Sequence, residues 1–213
     1  MKPFQFPLLN TDPRRLNTEE VDEFARRTGW IDDIAVISPE TSLVEVQPLP
    51  WWEGVELIVA RDPEWQARHG IENSAGAWLR DEHLHRLDGT SNPIHAMNAK
   101  TKPVFNDQNV LSYLGFFCHF VHAKDRPFVI VQSADDPIVP NNAPEKMLAW
   151  LPRPAQLLRQ DERGYHCEAL VWYADALFLS NFIVSESGMV EMIEDEELAS
   201  ELGASMQFNL KFR

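Results

Sequence analysis

His119 and His122 stand three residues apart in a strongly apolar run. On a helix this spacing puts both imidazoles on one face, where they could give two nitrogen ligands to zinc or iron, or serve as a base and its partner. A third metal ligand would have to come from elsewhere, so no metal or cofactor is expected. The plainer reading is a pair near a helix C-terminus, where donor side chains suit the exposed carbonyls. Upstream, Asp81-Glu82-His83-Leu84-His85-Arg86 gathers five ionisable groups in six positions. If that stretch is extended, His83 and His85 share a face with Asp81, which is the material of a metal or acid–base site. The alternative is a solvated polar strand or helix end. From Asp88 to His95 the chain adds Thr90, Ser91, Asn92 and His95, groups found in ligand-binding loops and, more often, in plain turns.

Cys118-His119 and His166-Cys167 together suggest a Cys2His2 centre. Helix neighbours diverge by about 100° and strand neighbours point to opposite faces, so the four side chains do not converge easily. Cys118 is flanked by Phe117 and Phe120, surroundings that raise a thiol pKa and favour burial over catalysis. Trp51 and Trp52 follow Pro48 and Pro50; exposed, they would anchor an interface, and buried, they would cap an N-terminal sheet. Between Glu186 and Glu201 stand Glu186, Glu191, Glu194, Asp195, Glu196, Glu197 and Glu201, with no Lys or Arg among them. Such a run is a solvated face that keeps a protein in solution or an electrostatic surface for a basic partner.

The larger signatures are absent. There is no dinucleotide fingerprint, phosphate-binding loop, nucleophile elbow or zinc-protease helix motif. Leu87-Asp88-Gly89-Thr90 resembles the end of the D-x-D-G-T phosphotransferase motif, yet Arg86 stands where its nucleophilic aspartate belongs. Thirty-three Asp and Glu against nineteen Lys and Arg give a net charge of −14 over 213 residues, which disfavours nucleic acid and anionic lipid as partners. Two cysteines without a C-x-x-C pair form no disulfide framework, and Pro3 and Pro7 break the N-terminus before a signal-peptide core can form. The most apolar stretch, Ala169 to Val184, carries Asp175 and Asn181 and suits a buried sheet better than a membrane span. The expectation is a cytoplasmic protein.

The elements that must position these groups are legible in part. Asn17 and Glu20 form a capping-box pattern ahead of Val21, Phe24, Ala25 and Thr28 at helical spacing, with Gly29 as a stop. Ile34 to Ile37, Leu43 to Val46 and Val55 to Ala60 read as strands, and Pro63 stands where a helix could start. Asp88 to Pro103 reads as a long loop and as the candidate internal boundary, with Asp107 as the N-cap of the next helix. Asn109 to Ala123 reads as that helix, apolar around most of its circumference. Pro127 to Ser133 reads as a strand and Pro144 to Leu151 as a short helix. Strands are expected over Ala155 to Gln160, Tyr165 to Tyr173, Leu177 to Val184 and Met189 to Ile193, with hairpin turns at Asp161 to Gly164 and Ser185 to Gly188. Glu194 to Leu202 reads as an acidic helix and Met206 to Phe212 as a last strand.

The fold expected is α+β: a C-terminal antiparallel β-meander packed against a buried apolar helix, with a smaller mixed N-terminal half. Residues 1–213 read as one domain, in which 1–104 and 105–213 are candidate subdomains. Two function classes remain. One is a noncatalytic binding protein with an acidic face, a protein partner and room for a homodimer. The other is a small-molecule-binding protein or enzyme whose pocket lies between helix and sheet, using His119 or His122, with His95 or the His83/His85 pair at its rim.

Overall fold

The computed structural model describes residues 8–9, 11–28, 37, 41–62, 75–123, 126–136, 139, 143–151 and 153–202. Near the N-terminus, β1 (Arg14–Arg15) leads into helix α1 (Thr18–Thr28). The helix begins on the expected capping box: Glu20 N–H donates to Asn17 Oδ1 at 3.0 Å, and Asn17 N–H donates to Glu20 Oε2 at 2.9 Å. Two of the four orphan amides of a helix start are thereby satisfied reciprocally. β2 (Leu43–Pro48), β3 (Glu56–Arg61), β4 (Ala75–Arg80) and β5 (Leu84–Leu87) complete an antiparallel sheet in the order β1-β2-β3-β4-β5. Its central strand β3 is buried on both faces. Ile58 and Ala60 pack under α1 with Val21, Phe24 and Trp78, while Leu57 and Val59 point into the largest core cluster. Phe24 meets Trp78 edge-on at 5.1 Å.

Helix α2 (Asn92–Thr101) occupies the stretch expected to be a loop. The Ser, Asn and Pro that suggest a loop are here the start of a helix, with Pro93 in its first turn, where no amide partner is needed. Ile94, Met97 and Asn98 form its buried face. Helix α3 (Val110–Phe120) comes next, and Asn106 rather than Asp107 prepares its start: Asn106 Oδ1 accepts the N–H groups of Gln108 and Asn109. The helix is also shorter than expected. Val121 turns extended, and the N–H of His122 bonds the Gly89 carbonyl at 2.8 Å, so His122 belongs to β6 (His122–Ala123), paired with β7 (Arg126–Pro127).

The C-terminal sheet is antiparallel, in the order β12-β11-β10-β8. Its strands are β8 (Val129–Ile130), β9 (Gln156–Asp161), β10 (Gly164–Tyr173), β11 (Ala176–Val184) and β12 (Val190–Ala199). β10 pairs with β11 along one side, and with β9 and then β8 along the other. Between β8 and β9 lies α4 (Glu145–Leu148), whose Met147 packs with Leu170, Trp172 and Leu177 on one side of this sheet. The expected strand over 127–133 is therefore two short pieces. Both expected hairpin turns form, with Gly164 at φ +128° and Gly188 at φ +79°, and the middle turn holds Ala174 at φ +56°.

β12 replaces the expected acidic helix. Its pairing with β11 continues through Ala199, opposite Leu177, across two register irregularities. A helix over these residues would set like charges one turn apart, whereas the hairpin supplies backbone partners and lets the acids alternate. The α3 helix packs between the two sheets: Tyr113, Leu114, Phe116 and Phe120 share one buried cluster with Leu57 and Leu79 of the first sheet and with Ala169, Val171 and Phe182 of the second. Of the expected strand over 34–37 only Ile37 is described, as a buried residue outside any strand, while the expected strand over 206–212 and residues 63–74, where a helix could start at Pro63, lie outside the described residues. No helix among the described residues is long and apolar enough to cross a membrane.

Candidate functional site

The histidines expected to form a site are distributed over three places. His119 ends α3 and is buried, with the Phe120 ring edge-on at 4.9 Å. Burial, with the nearby His122, pushes its pKa down to about 3. The helical i,i+3 pair does not form, because the helix stops at Phe120; His122 instead lies half-buried against Gly89, whose missing side chain leaves the ring 3.5 Å from the position a Cβ would take. His83 and His85 flank Asp81 at the β4–β5 hairpin. Asp81 Oδ1 accepts the His83 N–H at 2.7 Å and lies 3.2 Å from His85 Nε2, while Oδ2 accepts from Lys100 Nζ at 2.5 Å. Burial alone would raise this carboxyl's pKa. The hydrogen bonds from Lys100, the His83 amide and His85 outweigh it and hold the group well below its ordinary value. The cluster is thus a charged latch between the first sheet and α2 rather than a base awaiting a proton.

The two cysteines are free and buried, and burial pushes both thiols up to about 12, with Cys167 adding to the effect on Cys118. They are packing residues. His166 faces Asp161, with Nε2 2.8 Å from Oδ2. No cluster of three or more His, Cys, Asp or Glu able to hold a metal occurs among the described residues. Trp51 and Trp52 are 1% and 3% exposed, so the open ring faces that interface anchors require are missing. They meet each other, Tyr113 and Phe116 at centroid distances of 5.4–6.2 Å and form part of the core.

Two surfaces remain that can meet a ligand. The first is β12, which pairs only with β11 among the described residues and leaves its outer edge open. Glu191 to Glu197 are all exposed. Glu191 is bound by Arg163 at 2.9 Å; Glu194, Asp195, Glu196 and Glu197 make no ion pair among the described residues. Met192 and Ile193 stand among them, each 45% exposed.

The second is a cleft of about 730 Å³ between α2, the 103–105 segment and the β11–β12 turn. His95, Asn98, Ala99 and Lys102, at i, i+3, i+4 and i+7, bring one face of α2 and its C-terminal residue to it. Phe105, Tyr165 and Met189 supply apolar surface, and Glu186 comes from the turn. A buried hub braces the walls. Trp52 Nε1 donates to Asn98 Oδ1 at 3.1 Å, and Asn98 Nδ2 donates to the Tyr113 hydroxyl at 2.8 Å and to the Gly188 carbonyl at 3.2 Å. The Tyr113 hydroxyl in turn donates to that carbonyl at 2.6 Å, and burial raises its pKa, so it keeps the proton it donates. Gly188 is required twice over: its φ is positive, and a Cβ there would stand 2.4 Å from Asn98 Nδ2 and 2.8 Å from the Tyr113 hydroxyl.

Of the histidines singled out by sequence, His95 alone lines this cleft. Asn98 and Lys102 escape a sequence reading that takes 88–103 as a loop, and the Ser91-Asn92-Pro93 helix start is the signal that exposes their shared face; Tyr165 is read only as the start of a strand and Glu186 only as part of the acidic run. Comparison with known protein families, curated proteins and solved structures finds no match, so the functional reading rests on these side chains themselves.

Proposed function

We propose that this chain is a noncatalytic binding protein that takes an extended, basic segment of a protein partner along the edge of β12. The observation that carries the reading is the composition of one strand: an open backbone edge, four acids that make no ion pair among the described residues, and Met192 and Ile193 exposed between them. An added strand gains main-chain hydrogen bonds from the edge and selectivity from the side chains beside it. Acids along an edge also discourage pairing of identical copies, since like charges would face one another. A homodimer would therefore use another surface. The core cluster drawing on both halves supports one domain, and two buried free thiols suit a reducing, cytoplasmic setting.

The test is fluorescence anisotropy with a labelled peptide of about ten residues alternating lysine and valine, alongside the same peptide N-methylated at alternate amides. Binding to the native chain, loss of about tenfold or more on Glu194→Lys with Glu196→Lys, and loss on N-methylation are expected. Equal binding of the N-methylated peptide would reduce the edge to unspecific charge attraction and overturn strand addition.

A further inference from the structure

Lys102 stands just past the last turn of α2 at φ 52° and ψ 100°, a left-handed conformation where a glycine would be unstrained. Pro103 comes directly after it, which restricts its backbone further. The conformation is held by the Lys102 N–H bond to the Asn98 carbonyl at 3.0 Å and by the Val104 N–H bond to the Trp51 carbonyl at 2.9 Å. Lys102, an exposed side chain, lines the cleft, and its ammonium makes no ion pair among the described residues, in a chain with fourteen surplus acids. Beside it His95 is half-buried, its ring 5.8 Å from that of Phe117. The apolar surface is set firmly, since the Tyr165 hydroxyl bonds the Phe105 carbonyl at 3.2 Å and Phe105 packs 4.7 Å from Tyr113. At the mouth, Val104 and Met189 are 71% and 53% exposed.

We infer that this cleft is a binding site for a small amphipathic monocarboxylate, with its apolar body over Phe105, Tyr165 and Met189 and its carboxylate on Lys102. A space of about 730 Å³ with mostly apolar walls and a few polar groups is of the size that holds such molecules. The Lys102 cation selects the anionic end. Glu186, the one acid among the described residues lining the cleft, sets the charge limit: it tolerates a single negative charge held at Lys102 and opposes a second. The hub of Trp52, Asn98, Tyr113 and Gly188 holds both walls before the ligand arrives, which lowers the entropy cost of binding. The site is independent of the β12 edge, and either can fail without the other.

Indole-3-propionate and indole-3-propionamide, titrated to about 10 mM into isotopically labelled full-length chain, test the inference by two-dimensional amide NMR, a range that reaches weak, fragment-sized ligands. The acid is expected to shift Asn98, Ala99 and Gly188, and the amide to bind about tenfold more weakly. Lys102→Met should weaken the acid by about tenfold, Lys102→Arg should retain it, and Glu186→Gln should tighten it. Absence of shifts around the cleft, equal binding of acid and amide, or an unchanged affinity in a folded Lys102→Met chain would each overturn the assignment.

Discussion

His119 is 3% exposed, and its pKa of about 3 contrasts with an ordinary value of 6.5. The unfolded chain therefore takes up a proton below pH 6.5 that the folded chain refuses until about pH 3. Above 6.5 both states are neutral and the residue contributes no slope. Below it, stability falls as pH falls, by up to about 1.4 kcal/mol per pH unit. The depressed carboxyls act in a lower window, Asp81, Asp88 and Asp161 below their ordinary value of 3.8 and Glu20 below its ordinary value of 4.5. Urea unfolding between about pH 7 and about pH 5.5 thus keeps clear of the depressed carboxyls, and His119→Gln should give a visibly flatter stability profile than the native chain. Parallel profiles would mean that His119 carries no such proton linkage. That His119 would be buried near a helix end was legible in the flanking phenylalanines; that His122 would stand beyond the helix was not, because the chain turns extended there and His122 bonds Gly89, thirty-three residues away.

At the scale of elements, the features written locally are the ones the sequence discloses. The Asn17/Glu20 box and the positive-φ turns at Gly164 and Gly188 form among neighbours within a few residues, and the β10–β11 pairing joins residues at most 19 apart. Asn17→Ala removes the acceptor of the Glu20 amide and should lower unfolding stability by about 1 kcal/mol, measured by denaturant titration with an unchanged slope. An unaltered midpoint would show that α1 is held by its packing under the first sheet alone. Where distant partners decide, local reading fails. Polar residues over 92–101 become a helix because Ile94 and Met97 have a core to enter, and acids over 194–199 become a strand because β11 offers backbone partners. The cleft was invisible for the same reason: one wall is a helix that composition disguises as a loop, and the other is a turn 90 residues from Asn98.

Across the whole molecule, charge and topology pull in opposite directions. The net −14 keeps copies of the chain apart, and β12 concentrates that repulsion on a long edge left open among the described residues, where strand pairing would otherwise be easy. Topology ties distant segments together. Asn98 bonds Trp52, 46 residues before it, and Gly188, 90 residues after it. Bringing those segments to one point closes long stretches of chain before any reward is collected, so the hub belongs among the last contacts to form in folding and the first to break in unfolding. Asn98→Ala should then steepen neither arm of a chevron but raise the unfolding rate severalfold, leaving the refolding rate nearly unchanged; slower refolding would place the hub in the folding nucleus. The same four residues that brace a cleft in the native state therefore act as its clasp in time, setting how long each folded molecule lasts rather than how quickly it is made.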